Sequence, residues 1–143
     1  MREKKITGRK RFVAVDSLGL IWALWVATAD HLDRDGGRWF LSQVRHRLPR
    51  VREVIVDSGF NGKFVTWTRR VCGWAVTLMK TLTGSGTQGF QIHARRWVVE
   101  RTFGWLVSYR RLGKDYERHT ETSEAMIYAT MIHLMLRRLP PLP

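Results

Sequence analysis

The sequence has almost none of the residues that would cross-link it or anchor it in a membrane. Cys72 is the only cysteine among 143 residues, so an internal disulfide is excluded and a reducing compartment is expected. Residues 1–5 are charged and lack the apolar run of a signal peptide. The most apolar later stretch, residues 125–136, is too short to span a bilayer and contains His133. We therefore expect a cytoplasmic protein with no membrane partner.

Acidic residues are scarce as well. The chain has 12 Asp and Glu against 25 Lys and Arg, which gives a formal net charge of +13. Such an excess is self-repulsive unless a polyanion neutralises it, which indicates nucleic acid or an anionic membrane surface. Arg greatly outnumbers Lys, and its planar fork binds phosphate through two hydrogen bonds. A ribosomal protein would share this bias, so charge predicts the class of partner and not the activity.

The length and the 44% hydrophobic content allow one domain with a single core. Residues 11–15 and 20–27, separated by a turn that begins at Asp16, predict an antiparallel hairpin. Residues 33–37 are predicted as a loop with a capping aspartate, followed by a helix that Pro49 ends.

The rest of the chain predicts short strands and then longer helices. The expected elements are a buried strand over 53–57, a helix over 62–71, a strand over 74–79, a loop over 83–89, and helices over 94–112 and 121–138, the last capped by Thr120. Residues 1–7 and 139–143 read as a charged tail and a Pro-rich tail. This order favours one mixed-sheet α/β domain.

Two carboxylates stand out in this pattern. Asp57 ends a predicted strand, at the edge of an open α/β sheet where ligand and metal sites form, although position alone favours a turn-capping role before Ser-Gly. Glu100 follows Arg96 by four residues on a predicted helix, where a surface ion pair is as good an explanation as a functional one. Taken together they are the hard oxygen ligands that Mg²⁺ prefers, and paired ions of this kind support phosphodiester displacement.

Longer motifs carry a resemblance to a known family. Five segments resemble the catalytic core of insertion-sequence transposases of the IS-five group, in the IS-four/IS-five superfamily, with the family's order and spacing over about residues 8–139. They are Gly8–Leu20, Asp30–Gly36, Val56–Gly62, Arg95–Trp105 and Lys114–Arg118.

The resemblance implies a DDE transposase with a ribonuclease-H-like fold that cuts and joins double-stranded DNA at the ends of its element and at the target. It implies that Asp57 and Glu100 are catalytic and bind two Mg²⁺ ions, with Mn²⁺ as an alternative. It also implies that Arg96 binds the phosphate backbone. Further basic residues are expected on the DNA, namely Arg95, Arg101, Arg9, Lys10, Arg110 and Arg111.

The sequence departs from the family pattern in two ways. His93 and Val107 stand where a related signature has Tyr and Lys, so only the Arg and the Glu transfer. The family's first catalytic Asp lies on a strand upstream of Gly8, so this strand, the central one of the fold, is expected to be absent. Asp16 is predicted to bond its own turn and not to replace that Asp.

We therefore expect the C-terminal part of a nucleoid-associated bacterial transposase, which needs an upstream polypeptide and is inactive and marginally stable alone. The alternatives are a non-enzymatic DNA-binding remnant of a decayed transposase gene and a ribonuclease-H-like metal nuclease.

Seven tryptophans raise the alternative of base stacking. Trp22 and Trp25 fall in a strand pattern and Trp97 and Trp105 on a helix, so core packing is predicted for them. Cys72 is likewise predicted to be a small core residue. The last helix is predicted to be a core helix, and a role in a homo-oligomer is left open.

Overall fold

Strands and helices follow one another in the order expected of a mixed α/β fold. The computed structural model describes residues 8–79 and 96–141. Its strands are β1 (Arg9–Val15), β2 (Ile21–Thr28), β3 (Glu53–Asp57) and β4 (Ala75–Met79), and its helices are α1 (Asp33–Val44), α2 (Lys63–Trp67), α3 (Arg96–Ser108) and α4 (Thr120–Leu136). Arg95, His93, the predicted loop 83–89 and the tail 1–7 lie outside the described residues. None of the helices in the described part of the chain is long and apolar enough to cross a bilayer.

The chain divides into two compact units, which we call the hairpin unit (residues 1–29 and 97–143) and the central unit (residues 30–96). Each contains one two-stranded sheet in its described part, β1–β2 in the first and β3–β4 in the second. The α/β class that the sequence predicts is therefore confirmed, although the described strands form two separate sheets and not the single mixed sheet that the sequence predicts.

The hairpin unit begins with the predicted antiparallel pair, in which Phe12 lies opposite Trp25 and their rings stack at 5.1 Å. Asp16 holds the turn, because its carboxylate accepts the backbone N–H of Leu18 at 2.8 Å and of Leu20 at 3.0 Å. Its other oxygen accepts the Nε1–H of Trp22 at 2.9 Å. The turn role that the sequence predicts for Asp16 is confirmed.

The core of the hairpin unit lies between β2 and the two long helices. Its buried members are Leu24 and Val26 on β2, Leu106 on α3, Leu112 after it, and Ile127 on α4. Burial of side chains of this size contributes about 1.5–3 kcal/mol each. The backbone N–H of Val26 donates to Oε1 of Glu124 at 2.8 Å, so a side chain of α4 occupies the outer edge of β2 at this point.

The central unit pairs β3 and β4 in parallel, from Glu53 opposite Ala75 to Asp57 opposite Met79. Both predicted strands are confirmed. The predicted helix after β3 is present as α2, which continues into a π-helix over Thr68–Cys72. The apolar residues of β3 are half-buried and not buried as predicted, since β4 is their only strand partner within the described residues.

The predicted loop over residues 33–37 is wrong, because α1 already begins at Asp33. Asp33 and Asp35 stand in its first turn, where carboxylates complement the helix dipole. A Cβ atom built on Gly37 would stand 2.7 Å from the Phe60 ring and 3.0 Å from the Phe64 ring. Glycine is thus needed there for close packing inside a helix and not for a loop.

Helix ends and tryptophans bring further corrections. Thr120 is the first residue of α4 and not its cap, since His119 occupies the N-cap without a side-chain hydrogen bond. Trp22 and Trp97 are 62% and 45% exposed, so core packing is wrong for both, while Trp25 and Trp105 are half-buried.

Two further predictions hold in part. The long helix predicted over 94–112 ends at Ser108, and Arg110–Leu112 form a separate 3-10 turn. Cys72 is half-buried, and burial raises the pKa of its thiol more than the charge of Arg45 lowers it.

Candidate metal and nucleic-acid site

Asp57 lies at the end of β3, and one of its carboxylate oxygens accepts a hydrogen bond. Its side chain is exposed, and Oδ1 accepts the backbone N–H of Gly59 at 2.8 Å, which caps the 3-10 turn Ser58–Phe60. The turn-capping role is therefore confirmed. The second oxygen has no hydrogen-bond partner within the described residues, so capping leaves it accessible to a cation.

A second carboxylate lies beside Asp57. A Cβ atom built on Gly59 would stand 3.0 Å from Oδ2 of Asp33 and 3.1 Å from Oδ1 of Asp57, so both side chains border the same small space. Sequence reasoning missed this proximity, since Asp33 read only as a loop or cap residue. Within residues 8–79 and 96–141, no group of three or more His, Cys, Asp or Glu residues could hold a metal ion.

Glu100 and Arg96 occupy the exposed side of α3. The buried face of this helix carries Val98, Thr102 and Leu106, whereas Arg96 and Glu100 are both exposed. Glu100 belongs to the hairpin unit and Asp57 to the central unit. Each carboxylate is thus presented to solvent by its own unit, on a regular element that fixes its backbone.

Arg101 follows Glu100 but points into the protein. Its Nη2 donates to the backbone oxygen of Leu18 at 2.7 Å, and its guanidinium carbon lies 4.2 Å from the centre of the Trp97 ring and 4.8 Å from that of Trp105. Its Nε atom is buried without a hydrogen-bond partner in the described residues. This guanidinium therefore has partners inside the hairpin unit, although the sequence suggested DNA.

Arg9 is likewise engaged within the hairpin unit. Its Nη1 lies 3.0 Å from Oδ2 of Asp115, and its Nη2 donates to the backbone oxygen of Arg118 at 2.7 Å. Asp115 also accepts from the Ser123 hydroxyl at 3.1 Å and from the Glu117 N–H at 3.1 Å. These bonds fasten the segment after α3 to β1.

Basic residues that are distant in sequence meet beside the Arg9–Asp115 pair. Arg9 and Arg11 of β1 and Lys114 from the segment after α3 line one open concavity of about 400 Å³. Phe103, Val107 and Leu112 form the apolar part of its lining, and Asp115 adds a carboxylate.

The remaining described cations that were predicted to bind DNA do not line this concavity. Arg110 is exposed, and Lys10 is half-buried on β1. Arg111 donates to Glu117 at 2.8 Å, and this hydrogen bond and charge raise the pKa of Arg111.

Comparison with known proteins identifies the family. Residues 54–137, more than half of the chain, match the family model described as the transposase DDE domain. The chain belongs to this transposase family. Over 84 residues it is also 34% identical to a curated protein of Burkholderia cepacia named as a transposase for insertion sequence element IS402. That alignment covers 57% of this chain and 37% of the relative, so the chain spans well under two thirds of that protein's length. No solved structure matches.

The resemblance seen in the sequence is thus confirmed as membership of the insertion-sequence DDE transposases. The matched residues of the transposase DDE domain include both Asp57 and Glu100. Transposase DDE domains generally use divalent metal ions, and exposed carboxylates of this kind are suitable oxygen ligands for them.

Replacing Gly59 by alanine tests the crowding around Asp57. Alanine normally stabilises a compatible glycine position by about 0.4–1 kcal/mol. Here the added methyl group meets two carboxylates and disturbs the Asp57–Gly59 hydrogen bond, so we expect the free energy of unfolding to fall by about 1 kcal/mol. The control is Gly104→Ala on α3, where a Cβ meets nothing within 4 Å and stability should rise. Urea denaturation measures both, and a rise for Gly59→Ala would contradict the packing described.

Replacing Asp115 by asparagine tests the link to Arg9. Burial alone would raise the pKa of Asp115. Hydrogen bonds from Glu117, Arg9 and Ser123 and the charge of Arg9 together lower this pKa by more than burial raises it, so the pKa of Asp115 is below its ordinary value. Its stabilisation is therefore present above the ordinary carboxyl pKa of about 3.9 and is lost as the pH falls through the lower folded value. We expect Asp115→Asn to cost about 1 kcal/mol at neutral pH and to flatten the acid side of the stability curve. An unchanged curve, measured by urea denaturation at a series of pH values, would exclude this role.

Proposed function

We propose that this chain is catalytic-domain sequence of an insertion-sequence transposase with a ribonuclease-H-like fold, which cleaves DNA at the ends of its element and joins them to a target. The family match across Asp57 and Glu100 carries the proposal. The exposed position of Asp57 adds to it, because its second oxygen stays accessible to a cation while the first caps the turn.

Asp57 and Glu100 are the proposed ligands of divalent ions, with Mg²⁺ first and Mn²⁺ second. The donor set fits these ions, since both side chains are exposed carboxylates on regular elements. Bound ions of this type would activate a water or a 3′-hydroxyl and stabilise charge on the leaving oxygen. The two side chains serve by holding their oxygens in place, and neither needs to become a covalent nucleophile.

Completion of the site requires a further carboxylate, which we propose comes from polypeptide upstream of these motifs. The hairpin offers a place for the strand that would carry it. The Val26 N–H on the outer edge of β2 is already bonded to Glu124, whereas β1 has β2 as its only strand partner in the described residues. An added strand would therefore pair with β1, as the central strand of a ribonuclease-H-like sheet.

Double-stranded DNA is the proposed partner. Arg9, Arg11 and Lys114 line one concavity against a single carboxylate, that of Asp115 paired with Arg9, so net positive charge remains there where phosphates could bind. Further proposed contacts come from the exposed Arg96, Arg110 and Arg111, from the half-buried Lys10, and from Arg95, which lies outside the described part. Their contribution should fall steeply as salt rises, since phosphate binding releases counterions.

The test combines the chain with the polypeptide encoded immediately upstream. DNA carrying an end of the element is incubated with both polypeptides and Mg²⁺, and the products are resolved by strand. We expect cleavage at the end and joining of its 3′-hydroxyl to target DNA, with binding but no cleavage by the chain alone. Cleavage without joining would instead indicate a metal nuclease. Binding without cleavage in every combination would indicate a non-enzymatic remnant.

A further inference from the structure

The β1–β2 turn is hydrogen-bonded to α3, the helix that carries Glu100. Besides the Arg101 bond to Leu18, the Thr102 hydroxyl approaches the backbone oxygen of Gly19 at 2.7 Å and that of Val98 at 3.0 Å. A Cβ atom on Gly19 would stand 2.8 Å from Oγ1 of Thr102 and 3.2 Å from the Trp105 ring. The turn thus lies directly against α3, with no room for a side chain at Gly19.

We propose that Arg101 is a positioning residue, which fastens this turn to α3 beside Glu100, and that it is not a DNA ligand. The proposal rests on the proposed function in so far as Glu100 is taken to be a metal ligand and DNA the partner. It replaces the expectation that Arg101 binds phosphate, which its position in an Arg-rich segment had suggested.

The geometry favours this role over phosphate binding. Arg101 lies over the rings of residues four positions before and after it on the helix, and one of its donors is committed to a turn carbonyl. Both cation–π contacts and the hydrogen bond from a charged donor stabilise this placement of the side chain. A phosphate would have to compete with these contacts for a side chain that is already half-buried. Lysine cannot reproduce them, because it lacks the flat fork that lies over the rings.

Salt-dependent DNA binding separates the two roles. Fluorescence anisotropy with a double-stranded oligonucleotide is measured for the chain, for Arg101→Gln and for Arg101→Lys, with Arg110→Gln as the matched exposed control. We expect Arg110→Gln to reduce the log–log salt slope by about 0.9, the value for one phosphate contact. Both Arg101 variants should leave the slope unchanged. A loss in Arg101→Gln that Arg101→Lys restores would show a phosphate ligand and overturn the proposal.

Amide hydrogen exchange at Gly19 and Leu20 reports the turn itself and needs no DNA. We expect about tenfold faster exchange at both amides in Arg101→Gln and in Arg101→Lys, since lysine preserves the charge but not the fork. Gly19→Ala should have the same effect without altering any charge, because its Cβ would push the turn off Thr102. Unchanged exchange in all three variants would overturn the proposal.

In the cleavage assay with the upstream polypeptide, Arg101→Lys should lower kcat and leave KM for DNA unchanged, because it displaces the helix that presents Glu100. A raised KM with normal kcat would contradict this. If the wild-type chain shows no salt-dependent DNA binding and no cleavage, the proposed function fails, while the exchange rates still decide the role of Arg101.

Discussion

Asp57→Asn should abolish divalent-dependent cleavage of element-end DNA by the complete transposase. Asparagine keeps the shape and the capping oxygen that accepts from Gly59, but it removes the negative charge that a metal ion needs. Loss of an outer partner of a metal ligand already costs about 10–100-fold, so loss of a ligand itself should exceed that range. Glu100→Gln should have the same consequence on α3.

Two acidic residues in comparable positions serve as controls. Asp35→Asn changes an exposed carboxylate on α1 that pairs with Arg38, and Glu121→Gln changes an exposed one in the first turn of α4. Both should retain most of the cleavage rate. The ligand assignment would be falsified if Asp57→Asn and Glu100→Gln cleaved DNA at the rate of these controls, measured on folded protein with Mg²⁺ and again with Mn²⁺.

Ile127→Ala should be the most destabilising single replacement in the hairpin unit. Ile127 is fully buried, at 0% exposure, among Leu24, Val26, Leu106 and Leu112. Truncation removes apolar contacts and leaves a cavity that the two helices and the strand can fill only in part, which costs about 2–5 kcal/mol. That is a large share of the stability of an ordinary domain, so the variant should unfold at a much lower urea concentration than the unchanged chain.

The same helix provides the matched control. Ile132 is 53% exposed on α4, and its replacement by alanine should change the free energy of unfolding by no more than about 0.5 kcal/mol. Urea titrations followed by circular dichroism compare the two variants. Equal midpoints for them would mean that α4 is not packed on β2 through Ile127.

Much of the fold could be predicted from local sequence patterns, and the predictions that were wrong have physical causes. The period-two runs around Asp16 and the short apolar run ending at Asp57 were enough to predict β1, β2 and β3. The pattern failed at residues 33–37, because the two glycines suggested a loop while the Phe60 and Phe64 rings that Gly37 accommodates lie far along the chain. Core packing of Trp22 failed because Asp16 satisfies its Nε1–H at the surface.

Only part of the candidate site could likewise be predicted from the sequence. Asp57 and Glu100 could be singled out because their motifs are local, and their proposed metal role awaits the cleavage test. The approach of Asp33 to Gly59 depends on how α1 packs, which no short pattern encodes. The partners of Arg9 and Arg101 lie 109 and 83 residues away along the chain, at Arg118 and Leu18, so composition alone could not distinguish these two cations from exposed ones.

The bond between Glu124 and the Val26 N–H has a consequence for self-association. Because it blocks β2 at this point, molecules that associate through this sheet would do so through the outer edge of β1, which has β2 as its only strand partner in the described residues. When two such β1 edges pair antiparallel, both become occupied. Association through this sheet then stops at a dimer and does not continue into a filament. Removing that carboxylate would reopen the second edge and turn a self-limiting contact into one that can propagate.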